Sequence, residues 1–194
     1  MQCPYCRATL TETSKECPSC QLSLQSANAL LGPIPRFAKG LTDTLGVLDK
    51  GADKKIRNAL ANLTRRFPQV EMHVLLQKFD RQYPIATHLF WLFNQGEFCA
   101  SDRKGGKNHS ILLGLDPKQG RIGLIVGYGL EPFLPRKALD HTLEKAQPSL
   151  GAADLTQAIL TVIESLDQLM EGICDGLGET LGLEQSRDTH RIEY

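Results

Sequence analysis

Ser110–Leu130, SILLGLDPKQGRIGLIVGYGL, constrains this chain more than any other stretch. It reads as two apolar strands, Ile111–Leu115 and Arg121–Val126, joined by Asp-Pro-Lys-Gln-Gly. Both runs are continuously apolar rather than alternating, which predicts strands covered on both faces. In the connection, Pro117 suits an early turn position and Gly120 is free to take positive φ, the chemistry of a hairpin. Gly127 and Gly129 then flank Tyr128, where the strand must bend or its backbone must approach something closely.

The run ILLGLDPKQGRIGLIVGYGLE resembles the centre of the TPM domain, in which two strands about a short charged turn lead into a Gly-Tyr-Gly-Leu-Glu signature. Here that signature is Gly127, Tyr128, Gly129, Leu130 and Glu131. The order of elements is similar over roughly Leu48–Ile173. The resemblance implies a three-layer α/β domain, a small mixed sheet with helices on both faces. Some members of the family are associated with acidic metal sites and weak phosphatase activity. This chain departs at two positions. Where the family usually has Asp-Asn-Gly before the second strand, it has Lys107, Asn108 and His109, and near the acid that often follows the signature it has Arg136. Both changes reduce the negative charge available to a cation.

Cysteine spacing supplies the second constraint. Cys3-Pro-Tyr-Cys6 and Cys17-Pro-Ser-Cys20 are two CxxC pairs separated by ten residues, enough for a short hairpin that brings both knuckles to one ion. Four thiolates around Zn²⁺ make a closed tetrahedral site, which is structural because no position remains for water. Residues 1–24 hold few apolar side chains beyond Tyr5, Leu10, Leu22 and Leu24, so metal binding is expected to supply their folding energy. A thioredoxin-like redox pair and two disulfides are the alternatives; the redox reading lacks a βα context. Gln21 stands after the last Cys, where ribbons often have Gly.

The chain carries 22 Lys+Arg against 22 Asp+Glu, a balance that gives no electrostatic footprint for nucleic acid. The distribution is uneven. The stretch 36–66 is rich in cations, whereas none falls between Lys145 and Arg187, a segment with Asp154, Glu164, Asp167, Glu171, Asp175, Glu179 and Glu184. One basic and one acidic helix surface, facing each other or serving a partner, is expected. The longest apolar patch, Leu89–Phe93, falls short of the ~18–20 residues that span a bilayer, so no membrane span is expected. The N-terminus runs straight into Cys3 without an apolar core, which reads as no signal peptide and a cytoplasmic protein.

Cysteine spacing marks a zinc ribbon (1–24), the prolines and lack of period a linker (25–47), the resemblance implies a TPM-like α/β domain (48–174), and a flexible tail (175–194) follows. Within the domain the expected elements are a helix from Asp49 to Phe67, a strand at Val70–Phe79, a mostly buried aromatic helix at Tyr83–Gln95, the hairpin, a helix from Arg136 closed by Pro148, and a helix over 152–173 with an unbroken apolar seam. Any exposed remainder around Trp91 is the natural docking patch. Lys104-Gly-Gly-Lys107 lacks P-loop spacing and reads as a mobile loop, and Cys99 in it shows no sign of activation.

Strand ends place Asp80 and Asp116 on one edge of the sheet, with Glu131 beyond the other. These acids are the candidates for binding a divalent cation or for acid–base work, against the plainer roles of helix cap and turn. No nucleophile–base pair stands out among Ser110 and the histidines. The leading expectation is therefore a cytoplasmic zinc-ribbon protein that binds another protein, an assembly module without robust catalysis. The alternative is a weak metal-dependent phosphatase working through Asp80, Asp116 or Glu131.

Overall fold

The computed structural model describes residues 3, 5–11, 13–98 and 106–180. Cys99, Lys104, Gly105 and the tail beyond Thr180 lie outside them. Element order is α1 (Leu24–Leu31), β1 (Leu41–Asp43), α2 (Lys50–Arg66), β2 (Glu71–Leu76), α3 (Ile85–Gln95), a 3₁₀ turn at Gly106–His109, β3 (Ser110–Asp116), β4 (Arg121–Val126), α4 (Arg136–Gly151) and α5 (Leu155–Thr180).

The four strands form one sheet in the order β1-β2-β3-β4. β1 and β3 both run parallel to β2, and β4 returns antiparallel to β3 with Asp116 opposite Arg121. Every residue of β3 is buried, as its unbroken apolar run requires of a central strand. Gly120 takes φ +60° in the turn to β4, so the hairpin closes as its chemistry dictates.

Helices cover both faces. On one side Ile56, Leu60 and Leu63 of α2 and Ile159, Val162 and Leu166 of α5 meet Val74, Leu76, Ile111 and Leu113 of the sheet. Each fully buried aliphatic side chain there contributes roughly 2 kcal/mol. On the other side Leu89, Trp91 and Leu92 of α3 meet Leu75 and Leu112. Asp49 caps α2 by accepting from Ala52 N–H, and Asp154 caps α5 by accepting from Gln157 N–H. The basic and acidic helices do face each other: Arg66 of α2 pairs with Asp167 and Glu171 of α5. That guanidinium side chain is 42% exposed, which holds the pairing to about 0–1 kcal/mol.

Several boundaries differ from expectation. The stretch 25–47, read as a linker, contains most of α1 and the whole of β1. Eight uncharged residues show too little periodicity to announce α1, and its Ser23–Ser26 capping box uses Ser where Glu or Gln is the usual signal. α4 continues through Pro148 to Gly151, although the proline has no N–H to donate to the carbonyl of Glu144. α5 passes residue 173 and reaches Thr180, absorbing Gly172 and Gly176 at roughly 1 kcal/mol each. The aromatic face of α3 has no exposed remainder at Trp91: that side chain is 2% exposed, and its indole N–H donates to Asn28 Oδ1 of α1.

Candidate metal centre

The two CxxC segments fold into the same knuckle twice. Cys3 N–H donates to Ala8 O and Arg7 N–H to Cys3 O; fourteen residues on, Cys17 N–H donates to Leu22 O and Gln21 N–H to Cys17 O. The residue after each second cysteine closes its knuckle in the left-handed region, Arg7 at φ +63° and Gln21 at φ +58°. This is the conformation that favours glycine at that position, and here two long side chains adopt it.

The four thiols converge. All of Cys3, Cys6, Cys17 and Cys20 have their sulfurs within 4.8 Å of one another, the only such group of three or more Cys, His, Asp or Glu among the described residues. Cys3 Sγ lies 3.6 Å from Cys20 Sγ, and Cys6 Sγ 3.5 Å from Cys17 Sγ. A tetrahedral ion with bonds of about 2.3 Å to sulfur has edges of about 3.8 Å, so the donor set fits a four-thiolate ion such as zinc with little adjustment. Cys3 and Cys17 are buried, while Cys6 is exposed at the rim. The Ala8 backbone hydrogen bond holds the Cys6 thiol down at about 6, whereas desolvation pushes Cys20 up to about 12. A metal held by the four sulfurs would displace the protons that remain on them.

The acids behave differently. Asp116 is fully buried at the end of β3, where Oδ2 accepts from Phe79 N–H at 2.9 Å and Oδ1 from Gln119 N–H at 3.2 Å. It ties the β2 exit to the hairpin turn. Asp80 is exposed; its Oδ1 accepts from Gln82 N–H, capping the turn ahead of α3 rather than the helix itself, whose N-cap is Pro84. Glu131 is exposed beyond the opposite edge, with its N–H on Gly127 O. Among the described residues these three acids do not join a group of three or more potential metal ligands.

Sequence reasoning missed a third carboxylate on the Asp80 edge. Asp43 ends β1 and accepts from the amides of Leu45, Gly46 and Leu48 at 2.9–3.0 Å. The signal was present as Asp-x-x-Gly, a turn in which the aspartate stands in for a backbone acceptor. On this edge Arg121 donates to Asp80 O, Tyr83 O and Gln119 Oε1, so its guanidinium locks loops together. Lys107, the described lysine of the glycine-rich loop, donates to Asn94 O and lies over the Phe98 ring.

The glycines of the signature are explained by space. Gly127 N–H donates to Ser110 O and Gly129 N–H to Asn108 O, which carries the hairpin ladder past the end of β4 and across the 3₁₀ turn. A Cβ on Gly127 would stand 2.1 Å from Lys107 O, and one on Gly129 would stand 2.3 Å from the His109 ring. At Gly129 the His109 ring would have to move, and at Gly127 the obstacle is backbone, which cannot.

A family model of the TPM domain matches residues 41–169. The N-terminal domain of the cg2496 protein from Corynebacterium glutamicum, solved by NMR, is similar at a TM-score of 0.52 and 19% identity, covering 71% of this chain and 84% of that one. The N-terminal domain of a protein from P. gingivalis is similar at 0.51 and 19%, over 69% and 83% of the two chains. The BA42 protein of the psychrophilic bacterium Bizionia argentinensis gives 0.55 and 14%, over 67% and 86%. At these identities the likeness concerns the fold. Among curated proteins none matches the chain. No helix among the described residues is long and apolar enough to cross a membrane.

Proposed function

The chain belongs to the TPM domain family, and on that premise we propose that it is a protein-binding or assembly module whose N-terminal ribbon holds one structural zinc through Cys3, Cys6, Cys17 and Cys20. The observation that carries this reading is where ligand atoms converge and where they do not. Four thiols gather into a closed set. Asp43, Asp80 and Asp116 instead accept from backbone amides. A closed thiolate site leaves no position for substrate or water, so zinc there supplies folding energy rather than catalysis. Recognition then falls to surface. With α3 covered, the available features are the acids of α5, where Glu164 and Asp175 are exposed, and the loop bearing Tyr128 and Phe133, 53% and 46% exposed. A cytoplasmic location accords with reduced thiols ligating metal.

Two measurements test this reading. Zinc is quantified in the purified chain, with one equivalent expected and loss expected in Cys3→Ser. Phosphomonoester hydrolysis is then assayed on the full chain with Mg²⁺, Mn²⁺ or Ca²⁺, and no metal-dependent turnover is expected. Turnover that vanishes in Asp80→Asn or Glu131→Gln, with thermal stability unchanged, would replace the binding module by a weak phosphatase.

A further inference from the structure

We propose that the four-cysteine centre is a latch holding α1 as a cover over the aromatic face of α3, so that metal occupancy decides whether Trp91 is buried. The inference rests on the metal-binding part of the reading above and extends it from the ribbon to the domain.

The cover has little to hold it but its two ends. α1 is eight residues long, below the roughly 12–15 residues at which an isolated helix becomes even marginally stable in water. Its one buried hydrophobic among the residues with described side chains is Ala27, 3% exposed, with Leu22 and Leu31 partly buried beside it and Leu30 turned outward at 53%. Its polar contact with α3 is the bond from the Trp91 indole to Asn28. At the far end the chain runs through Gly32–Arg36 without regular structure before Phe37 packs on the same cluster.

At the near end α1 is continuous with the second knuckle. Cys17 N–H donates to Leu22 O, Glu16 bridges to Ser23, and Ser23 is the N-cap of α1, three residues beyond Cys20. Tyr5, inside the first knuckle, makes a tilted ring contact of 6.2 Å with Tyr83 ahead of α3. The ribbon that provides these anchors has no core: of its described residues only Cys3 and Cys17 are buried. A segment so built keeps its shape through thiolate–metal bonds. Removing them frees the knuckles, the N-cap and the Tyr5 contact together, leaving a two-turn helix held by Ala27, by the Trp91–Asn28 bond and by Phe37 beyond it.

The face beneath the cover is apolar. Trp91, which donates to Asn28 of α1, is 2% exposed, and it belongs to one apolar cluster with Ala27, Leu22 and Leu31. A metal-free chain would present part of this surface to water.

The chain's single tryptophan is the reporter. In the full chain, zinc release is followed with a chromogenic chelator while Trp91 fluorescence is titrated with acrylamide. Stripping the zinc should shift emission to longer wavelength and raise the quenching constant several-fold, with a cooperative unfolding transition of the remaining domain retained. Ala27→Glu should reproduce that quenching with one zinc still bound, because it wedges the cover without touching a ligand. Leu30→Glu, on the outer side of α1, should leave quenching at the wild-type value. Stoichiometric zinc that leaves with no change in quenching overturns the latch and spares the metal site. A chain that never takes up zinc overturns both. Wild-type quenching in Ala27→Glu overturns the cover.

Discussion

Gly114 and Gly123 face each other across β3 and β4, and Leu89 of α3 fills the socket they leave. Gly114→Ala would put a Cβ 2.4 Å from Leu89 Cδ2, 3.3 Å from Leu89 Cγ and 3.3 Å from Phe79 Cζ. Carbon atoms prefer about 3.5–4.0 Å, so the first contact is more than 1 Å too close. Leu89 is fully buried, so it can turn aside only by displacing the core side chains around it. Overpacking costs about 1–3 kcal/mol, and the stiffer unfolded chain of alanine returns roughly 0.5–1. The net loss for Gly114→Ala is then about 1–2 kcal/mol. Leu89→Ala should cost about 3 kcal/mol as a core truncation. In the double variant the obstructing methyl and Cγ are gone, leaving only the 3.3 Å contact with Phe79. Gly114→Ala should be close to neutral in that background, and the double variant less destabilised than the sum by about 1–2 kcal/mol. Urea denaturation of the zinc-loaded chain and its three variants measures the cycle. Additivity within about 0.5 kcal/mol would refute the socket.

Gly127→Ala should lower stability by about 3 kcal/mol or more, because the obstacle 2.1 Å away is a carbonyl in the 3₁₀ turn and not a movable side chain; an unchanged melting temperature contradicts the close approach. Burial lowers the His88 pKa first and the Arg121 charge adds to it, against the opposing hydrogen bond to Asp80 O. The folded chain therefore binds this proton less readily than the unfolded chain does. Its contribution to stability is complete above the unfolded value of about 6.5 and is lost as pH falls below it, at no more than about 1.4 kcal/mol per pH unit. His88→Gln should flatten the profile between about pH 7 and 5 relative to wild type; parallel profiles contradict the assignment.

What the chain announces in its residues, and what it hides, follows from the range of each interaction. The metal centre is legible because both knuckles are local, each a CxxC read within a few residues. α2 and α5 declare themselves through long apolar seams, and the hairpin through a turn whose Gly120 must be left-handed. β1 has three residues and takes its identity from pairing with β2, so no local period reveals it. The Gly114–Gly123 socket exists only once strand register is known. Asp80 and Asp116 were legible as acids on one edge, but their use depends on which amides the loops turn toward them, and those loops are placed by Arg121 from another strand.

The crossing of the hairpin exit over the 3₁₀ turn bears on what the signature can report. Where the chain passes its neighbour at the thickness of bare main chain, the letter at 127 is dictated by clearance, whatever the molecule does for its cell, and the one at 129 by the imidazole lying against it. A Gly-Tyr-Gly spelling is then a certificate of shape. In this chain the pair of glycines therefore speaks for the closure of the sheet edge and is silent on chemistry.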